Sequence, residues 1–321
     1  MSPRRGPEEE FTSYYGRPIL KAPTWEPLDI AGYLFAGGLA GASSALAAGA
    51  ELTGRPALAR STRLTALGAI GVSLAALVHD LGRPARFVNM LRVAKPTSPM
   101  SMGSWLLAAY SPLVGLAAGA ELVSLPMLRR VAPIAGRGAA VLGAGVATYT
   151  AALIGDTAVP TWHDGHRHLP FVFAGSAAAS AGGVASALTP LAQSGPARRV
   201  AVGAAVAELA ATTAMERSGH LSTQTLREGR AHTLMASAKV LTGVGAGVLG
   251  ALGGRSRVAA AAGGLALAAG SVCLRFGIFE AGRASTLDPR YVIEPQRRSS
   301  RSPSAADSAP SETAADAPTG G

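Results

Sequence analysis

The feature that most restricts this chain is a series of long segments without charge. Residues 30–50 run for 21 positions without Asp, Glu, Lys or Arg, residues 64–78 for 15, and residues 169–197 for 29. At 1.5 Å per residue, about 20 helical residues cross the roughly 30 Å hydrocarbon core of a bilayer. In lipid only helices and closed barrels satisfy their own backbone groups, and none of these segments alternates as a barrel strand must. The expected fold is therefore all-α: a polytopic membrane helical bundle of about eight transmembrane helices. The spans read as 30–50, 64–78, 102–125, 138–155, one within 169–197, 200–215, 233–253 and 258–276. Pro112, inside the third, implies a kink or local opening.

Composition agrees. Charged residues make up 15% of the chain, against about 25% in a soluble domain. The 40 glycines suit helices that approach closely through small residues. Cys273 is the lone cysteine, which excludes an intramolecular disulfide and any cluster held by thiolates of this chain alone. The net charge of +10 is carried mainly by short loops and tails. That pattern reads as membrane anchoring to lipids and not as nucleic-acid binding.

Residues 1–27 read as a polar, Pro-interrupted N-terminal arm at the membrane surface, without the apolar run of a signal peptide. Residues 28–282 form the transmembrane domain. Residues 283–321 are a polar tail, expected to be disordered from about 297 by its Ser, Ala and Pro content. Eight spans put both termini on one side, with loops 80–101, 156–168 and 216–232. The four tight turns on the other side hold Arg55, Arg60, Arg63, Arg129, Arg130, Arg137, Arg198, Arg199, Arg255 and Arg257. Short basic turns favour the cytoplasm. This places both termini and the 80–101 loop outside it, in a multi-pass protein of the cell membrane.

Three kinds of residue stand out against the apolar background. Asp80, Arg83, Arg86, Arg92 and Lys95 lie in a polar loop broken by Pro84, Pro96 and Pro99, between two apolar segments. Such a loop reads as meeting a headgroup, a cofactor or a partner. An Asp–Arg clamp that only holds the loop together explains Asp80 and Arg83 as well. Glu51, Glu121 and Glu208 lie within or at the edge of spans, where a carboxylate is costly unless paired or protonated. They read either as a proton path or as three separately paired carboxyls. No histidine lies mid-span, so a bis-histidine haem is not expected. The WHDGHRH run around His163 is too tight to read as a metal site; a solvated connector explains it.

The block DLGRPARFVNMLRVAKPTSPMSMGSW, residues 80–105, resembles the signature loop of the NrfD/polysulfide-reductase membrane-subunit family. YLFAGGLAGASSALAAGAEL before it is similar to the family's first span, and ATYTAALIGDTAVPTWHDGHRHLPFVFAGSA to its fourth-to-fifth connection. The resemblance runs from about Tyr14 to Arg283. It implies a membrane anchor that exchanges electrons with a quinone (menaquinone or ubiquinone) and carries no haem and no metal of its own. Its partners would be a ferredoxin-like 4Fe-4S subunit and a molybdopterin catalytic subunit. That catalytic subunit sets the substrate, such as formate, polysulfide, thiosulfate, sulfoxide or nitrite. The family's fourth span contributes a tyrosine to the quinone, which maps to Tyr149. The residues expected around the quinone are Tyr15, Trp25, His79, Asp80, Arg83, Tyr149, Asp156 and His163. Those expected to handle protons are His79, Asp80, Glu121, Tyr149 and Glu208. The family's arm can contact the quinone through a histidine, and this arm has none, which leaves Tyr15, Tyr149 or His79 for the contact. A proton-coupled secondary transporter and a purely structural membrane anchor are the competing readings. A transporter would be expected to show internal repeats, and the sequence shows none clearly.

Overall fold

The computed structural model describes residues 20, 23, 25–83 and 85–294. Expectations for Tyr14, Tyr15 and the tail from 295 lie outside these residues. Eight long helices are described: α1 (Pro27–Leu52), α2 (Pro56–Asp80), α4 (Pro99–Leu122), α5 (Pro126–Gly155), α7 (Leu169–Leu188), α8 (Gly195–Glu216), α9 (Gly229–Ala251) and α10 (Arg257–Leu287). Short helices α3 (Arg86–Met90) and α6 (Pro160–Asp164) and a 3-10 helix (Leu221–Arg227) lie in the longer connections. Proline stands in the first turn of α1, α2, α4, α5, α7 and α8. There its fixed φ suits the helix and its missing N–H is not needed. In the turn before α2 a basic residue, Arg55, directly precedes the helix-starting Pro56.

The chain is an all-α polytopic membrane bundle. Among the described residues, seven helices are long and apolar enough to cross a bilayer. The exception among the long helices is α8, where Arg198, Arg199, Glu208 and Glu216 dilute the apolar content. The helices pack as two halves with the same plan. In the first, α1 lies against α2 and α5, and α4 against α5 and α2. In the second, α7 lies against α8 and α10, and α9 against α10 and α8. The halves meet chiefly through α1, α5, α7 and α10. The apolar segments of α1 and α7 are accordingly 72% and 67% buried, against 22% for α2.

Glycine sets the closest crossings. A Cβ on Gly143 of α5 would lie 2.6 Å from the Gly41 carbonyl oxygen of α1, and one on Gly183 of α7 would lie 2.7 Å from that of Gly264 in α10. Both contacts join the first and fourth long helices of a half. Gly41 and Gly183 each stand fourteen residues beyond the first residue of their helix (27 to 41, 169 to 183). Any side chain here would force the backbones apart, so the sequence's glycine excess is spent on backbone-to-backbone contact.

Two local expectations change, and a third feature is placed. The fourth span starts at Pro126, not at residue 138, because nothing after Pro126 breaks the helix except Pro133, which α5 absorbs. Arg129, Arg130 and Arg137 therefore ride on its first turns. The last helix continues to Leu287, so Arg275 is interior and not at its far end; at 1% exposure it is fully buried. Helix α4 is continuous through Pro112, with the Ser111 hydroxyl donating to the Leu107 carbonyl at 2.7 Å.

Candidate functional site at the arm end

The end of the bundle that carries residue 25 is organised by two tryptophans. Trp162, in α6, is 1% exposed, and its indole N–H donates to the Ile278 carbonyl of α10 at 2.8 Å. Its ring leans on Phe279, with centroids 5.6 Å apart. Gly282 makes room, since a Cβ there would fall on the Trp162 ring. Trp25, just before α1, stacks on Trp162 with centroids 5.9 Å apart and 14° between planes. The end of the arm is thereby fixed across the mouth of the bundle. Tryptophan suits this place because its large apolar face stacks while its N–H finds an acceptor.

Below this cover, a cavity of about 250 Å³ separates the start of α4 from the end of α5. It is lined by Trp25, Ser98, Met100, Leu153, Asp156 and Thr157, among others. Tyr149 and Leu153, four residues apart, share one face of α5, and Asp156 follows as its C-cap. The Tyr149 ring lies on Gly103 of α4, where a Cβ would overlap it. Its hydroxyl is buried with no hydrogen-bond partner. A buried phenol normally finds an acceptor, so this one is a donor without its acceptor. A second cavity of about 270 Å³ shares Ser98 and Met100 and is lined by Asn89, Met90, Val93 and Lys95 of the polar loop. The loop is tied to α4: the Ser101 hydroxyl donates to the Val93 carbonyl at 2.8 Å and accepts from the Lys95 N–H at 3.0 Å.

The other expected residues at this end have different surroundings. His79 is exposed, with Nδ1 2.6 Å from an Asp29 carboxylate oxygen. Asp80 accepts from the Glu26 N–H at 3.2 Å. Together they fasten the end of α2 to the start of α1. Arg83 is exposed. His163 is exposed too, its ring 5.7 Å from that of His166, while Asp164 accepts from the Ser222 hydroxyl at 2.5 Å. Among the described residues, no group of three or more His, Cys, Asp and Glu is placed to hold a metal.

The acids expected to carry protons fall into two groups. At the opposite end, Arg63 of α2 bridges Glu51 of α1 at 2.5 Å and Glu121 of α4 at 2.7 Å. About two turns farther in, Ser44 and Tyr110 share a hydrogen bond of 2.7 Å. Glu208 lies in the other half, 2% exposed, with one oxygen accepting from Thr242 at 3.1 Å and the other unpartnered. The guanidinium of Arg275, on α10, is the other buried charged group of this half among the described residues, and the two form no ion pair within 4 Å. That guanidinium donates to the Phe173 carbonyl at 3.0 Å and lies 3.5 Å over the Phe173 ring, leaving two of its nitrogens without partners. Trp25 and Asp156 thus line one cavity, with Tyr149 one turn from its lining residue Leu153 on α5. Glu51 and Glu121 are joined by Arg63, and Glu208 stands apart. Sequence reasoning missed Trp162 and Arg275. The signal for Arg275 was the absence of any helix breaker between it and Asp288.

A family model described as "Polysulphide reductase, NrfD" matches residues 22–244, more than two thirds of the chain. The match begins in the arm and ends inside α9, short of the Arg283 limit read from sequence. No curated protein matches the sequence.

Proposed function

The chain belongs to the NrfD polysulphide-reductase family, and from that premise we propose that it is the quinone-reactive membrane subunit of a multi-subunit oxidoreductase. The observation that carries the reading is the Tyr149 hydroxyl, buried without an acceptor on the face of α5 that also lines the arm-end cavity. The cavity's 250 Å³ is slightly below the roughly 300–1,000 Å³ of pockets that enclose a whole small molecule, which fits a ring whose tail remains in lipid. A quinone bound here supplies two-electron, two-proton redox chemistry. Tyr149 donates a hydrogen bond to a ring carbonyl and holds the ring in register. Asp156, exposed at the mouth, exchanges protons with solvent. Trp25 and Trp162 cover the ring and exclude water. His79 and Asp80 act by positioning, because both are engaged with the start of α1.

Electrons would pass between the quinone and a ferredoxin-like 4Fe-4S subunit docked on the arm end, with a molybdopterin subunit beyond it. Helix α8 is the eighth span in this reading, its Glu208 and Glu216 meeting Thr242 and Lys239 of α9, and the arm end faces away from the cytoplasm. The matched plan of the two halves is a trait of some transporters. Against transport, the cavities lie toward the two ends, and the first and fourth helices of each half meet backbone to backbone at mid-bundle.

The test is purification of the native complex in mild detergent, with mass spectrometry of co-eluting chains, iron and molybdenum analysis, and quinol oxidation. An iron–sulfur partner and quinol turnover that falls in Tyr149→Phe are expected. A chain that elutes alone, without iron and without quinone, would remove the proposal.

A further inference from the structure

A large cavity lies at the opposite end of the bundle, away from Tyr149. It measures about 710 Å³ and is lined by Arg55, Arg60, Arg63 and Arg129, with Glu51 and Glu121 as its acids. Arg63 takes both carboxylates. Arg55 and Arg60 have no side-chain hydrogen bond or ion pair among the described residues, and Arg129 has only a 3.3 Å contact with the Ser124 hydroxyl. The bowl therefore keeps surplus positive charge without an internal counterion. The start of α2, at Pro56, opens into it, adding the partial positive charge of a helix N-terminus.

A second cavity, about 580 Å³, adjoins the bowl through Ala57 and Arg60. It is a groove between α2 and the end of α7, lined by Leu64, Leu188 and Pro190 besides Ser61 and Thr65. Hydrogen bonds close its floor: Ser61 to Thr189 at 2.6 Å, and the Ala57 N–H to Gln193 at 2.8 Å. A cationic bowl joined through one arginine to a mostly apolar groove matches an amphiphile with an anionic head. Free phosphate would use the bowl and leave the groove uncovered.

We propose that the turn end holds an anionic phospholipid, its phosphate among Arg55, Arg60 and Arg129 and an acyl chain along the α2–α7 groove. The lipid would sit where the two halves of the bundle adjoin and would tie them together. This goes beyond the quinone reading and shares no residue with it.

The full-length protein, delipidated in mild detergent, is titrated with dioleoyl phosphatidylglycerol, dioleoyl phosphatidylcholine or inorganic phosphate. Native mass spectrometry reads retention and thermal unfolding reads stabilisation. Phosphatidylglycerol should be retained and should raise the midpoint; phosphatidylcholine with the same chains should bind at least tenfold more weakly. Arg60→Gln should weaken phosphatidylglycerol about fivefold, the scale of one arginine at an anionic surface, and Arg60→Lys should restore most of it. Arg55→Gln gives the same test if Arg60→Gln misfolds. Equal retention of both lipids, or unchanged binding in both arginine variants, would overturn the proposal. Inorganic phosphate stabilising as strongly as the lipid would also overturn it, by showing an anion site with no use for the groove.

Discussion

Replacing Tyr149 by Phe should have two effects of opposite sign. The hydroxyl is buried and unpartnered, while the ring rests on Gly103. Removing the oxygen keeps the ring contact and deletes an unsatisfied group, whose burial costs about 1–3 kcal/mol. In quinone-depleted detergent the variant should therefore unfold no earlier than the parent protein, and by this arithmetic up to a few degrees later. With quinol present, the variant lacks the donor that meets the ring carbonyl. A net hydrogen bond is worth about 0.5–1.5 kcal/mol, or roughly a two- to tenfold loss in apparent quinone affinity. The assay pairs thermal unfolding of the depleted protein with the quinol concentration dependence of the assembled complex. A variant that loses stability and keeps its quinol dependence would refute the reasoning, because the hydroxyl would then be making a structural bond within the bundle.

Three further outcomes follow from the packing. Gly41→Ala should destabilise the bundle by about 1–3 kcal/mol through overpacking, seen as lower folded yield and an earlier thermal midpoint; an unchanged midpoint would mean α1 and α5 separate freely. Arg63→Met strands Glu51 and Glu121, which are only partly exposed, and should cost about 1–3 kcal/mol. Adding both Glu51→Gln and Glu121→Gln to it should recover much of that loss, and thermal unfolding of the parent, the single and the triple variant checks it. For Glu208→Gln and Arg275→Met, a double-mutant cycle should give a coupling of at least about 0.5 kcal/mol; additive effects would mean the two charges do not sense each other.

Much of the architecture was legible because lipid simplifies the problem. An uncharged run of the right length has few alternatives to a helix, and a first-turn proline marks the start of six of the eight long helices. Helix ends were harder. Arg129, Arg130, Arg137 and Arg275 all read as boundaries, since charge was the criterion, yet all four are helical and Arg275 is buried. Charge marks the edge of the hydrocarbon only when the side chain faces lipid. Tyr149 and Trp25 entered as candidates beside the family resemblance, whereas Trp162 looked like part of a solvated connector. The pairing of Glu51 with Glu121 through Arg63 depends on which helices are neighbours, and hydropathy does not encode that. The repeated plan of the halves also escaped the sequence, because alanine, glycine and leucine are so frequent that similarity between segments carries little information.

The charges of α8 bear on the order in which the chain is laid into the bilayer. In the first half, Arg63 and its partners Glu51 and Glu121 all lie within α1, α2 and α4, so those charges are paired with neighbours made at nearly the same time. The acids of α8 are matched later: Glu208 accepts from Thr242 and Glu216 pairs with Lys239, both on α9. Glu208 near the middle of a helix carries an insertion penalty of up to a few kcal/mol that α8's own apolar residues offset poorly. Helix α8 thus enters the membrane with a debt that only its successors settle, and a nascent chain halted after Glu216 should leave it at the membrane surface.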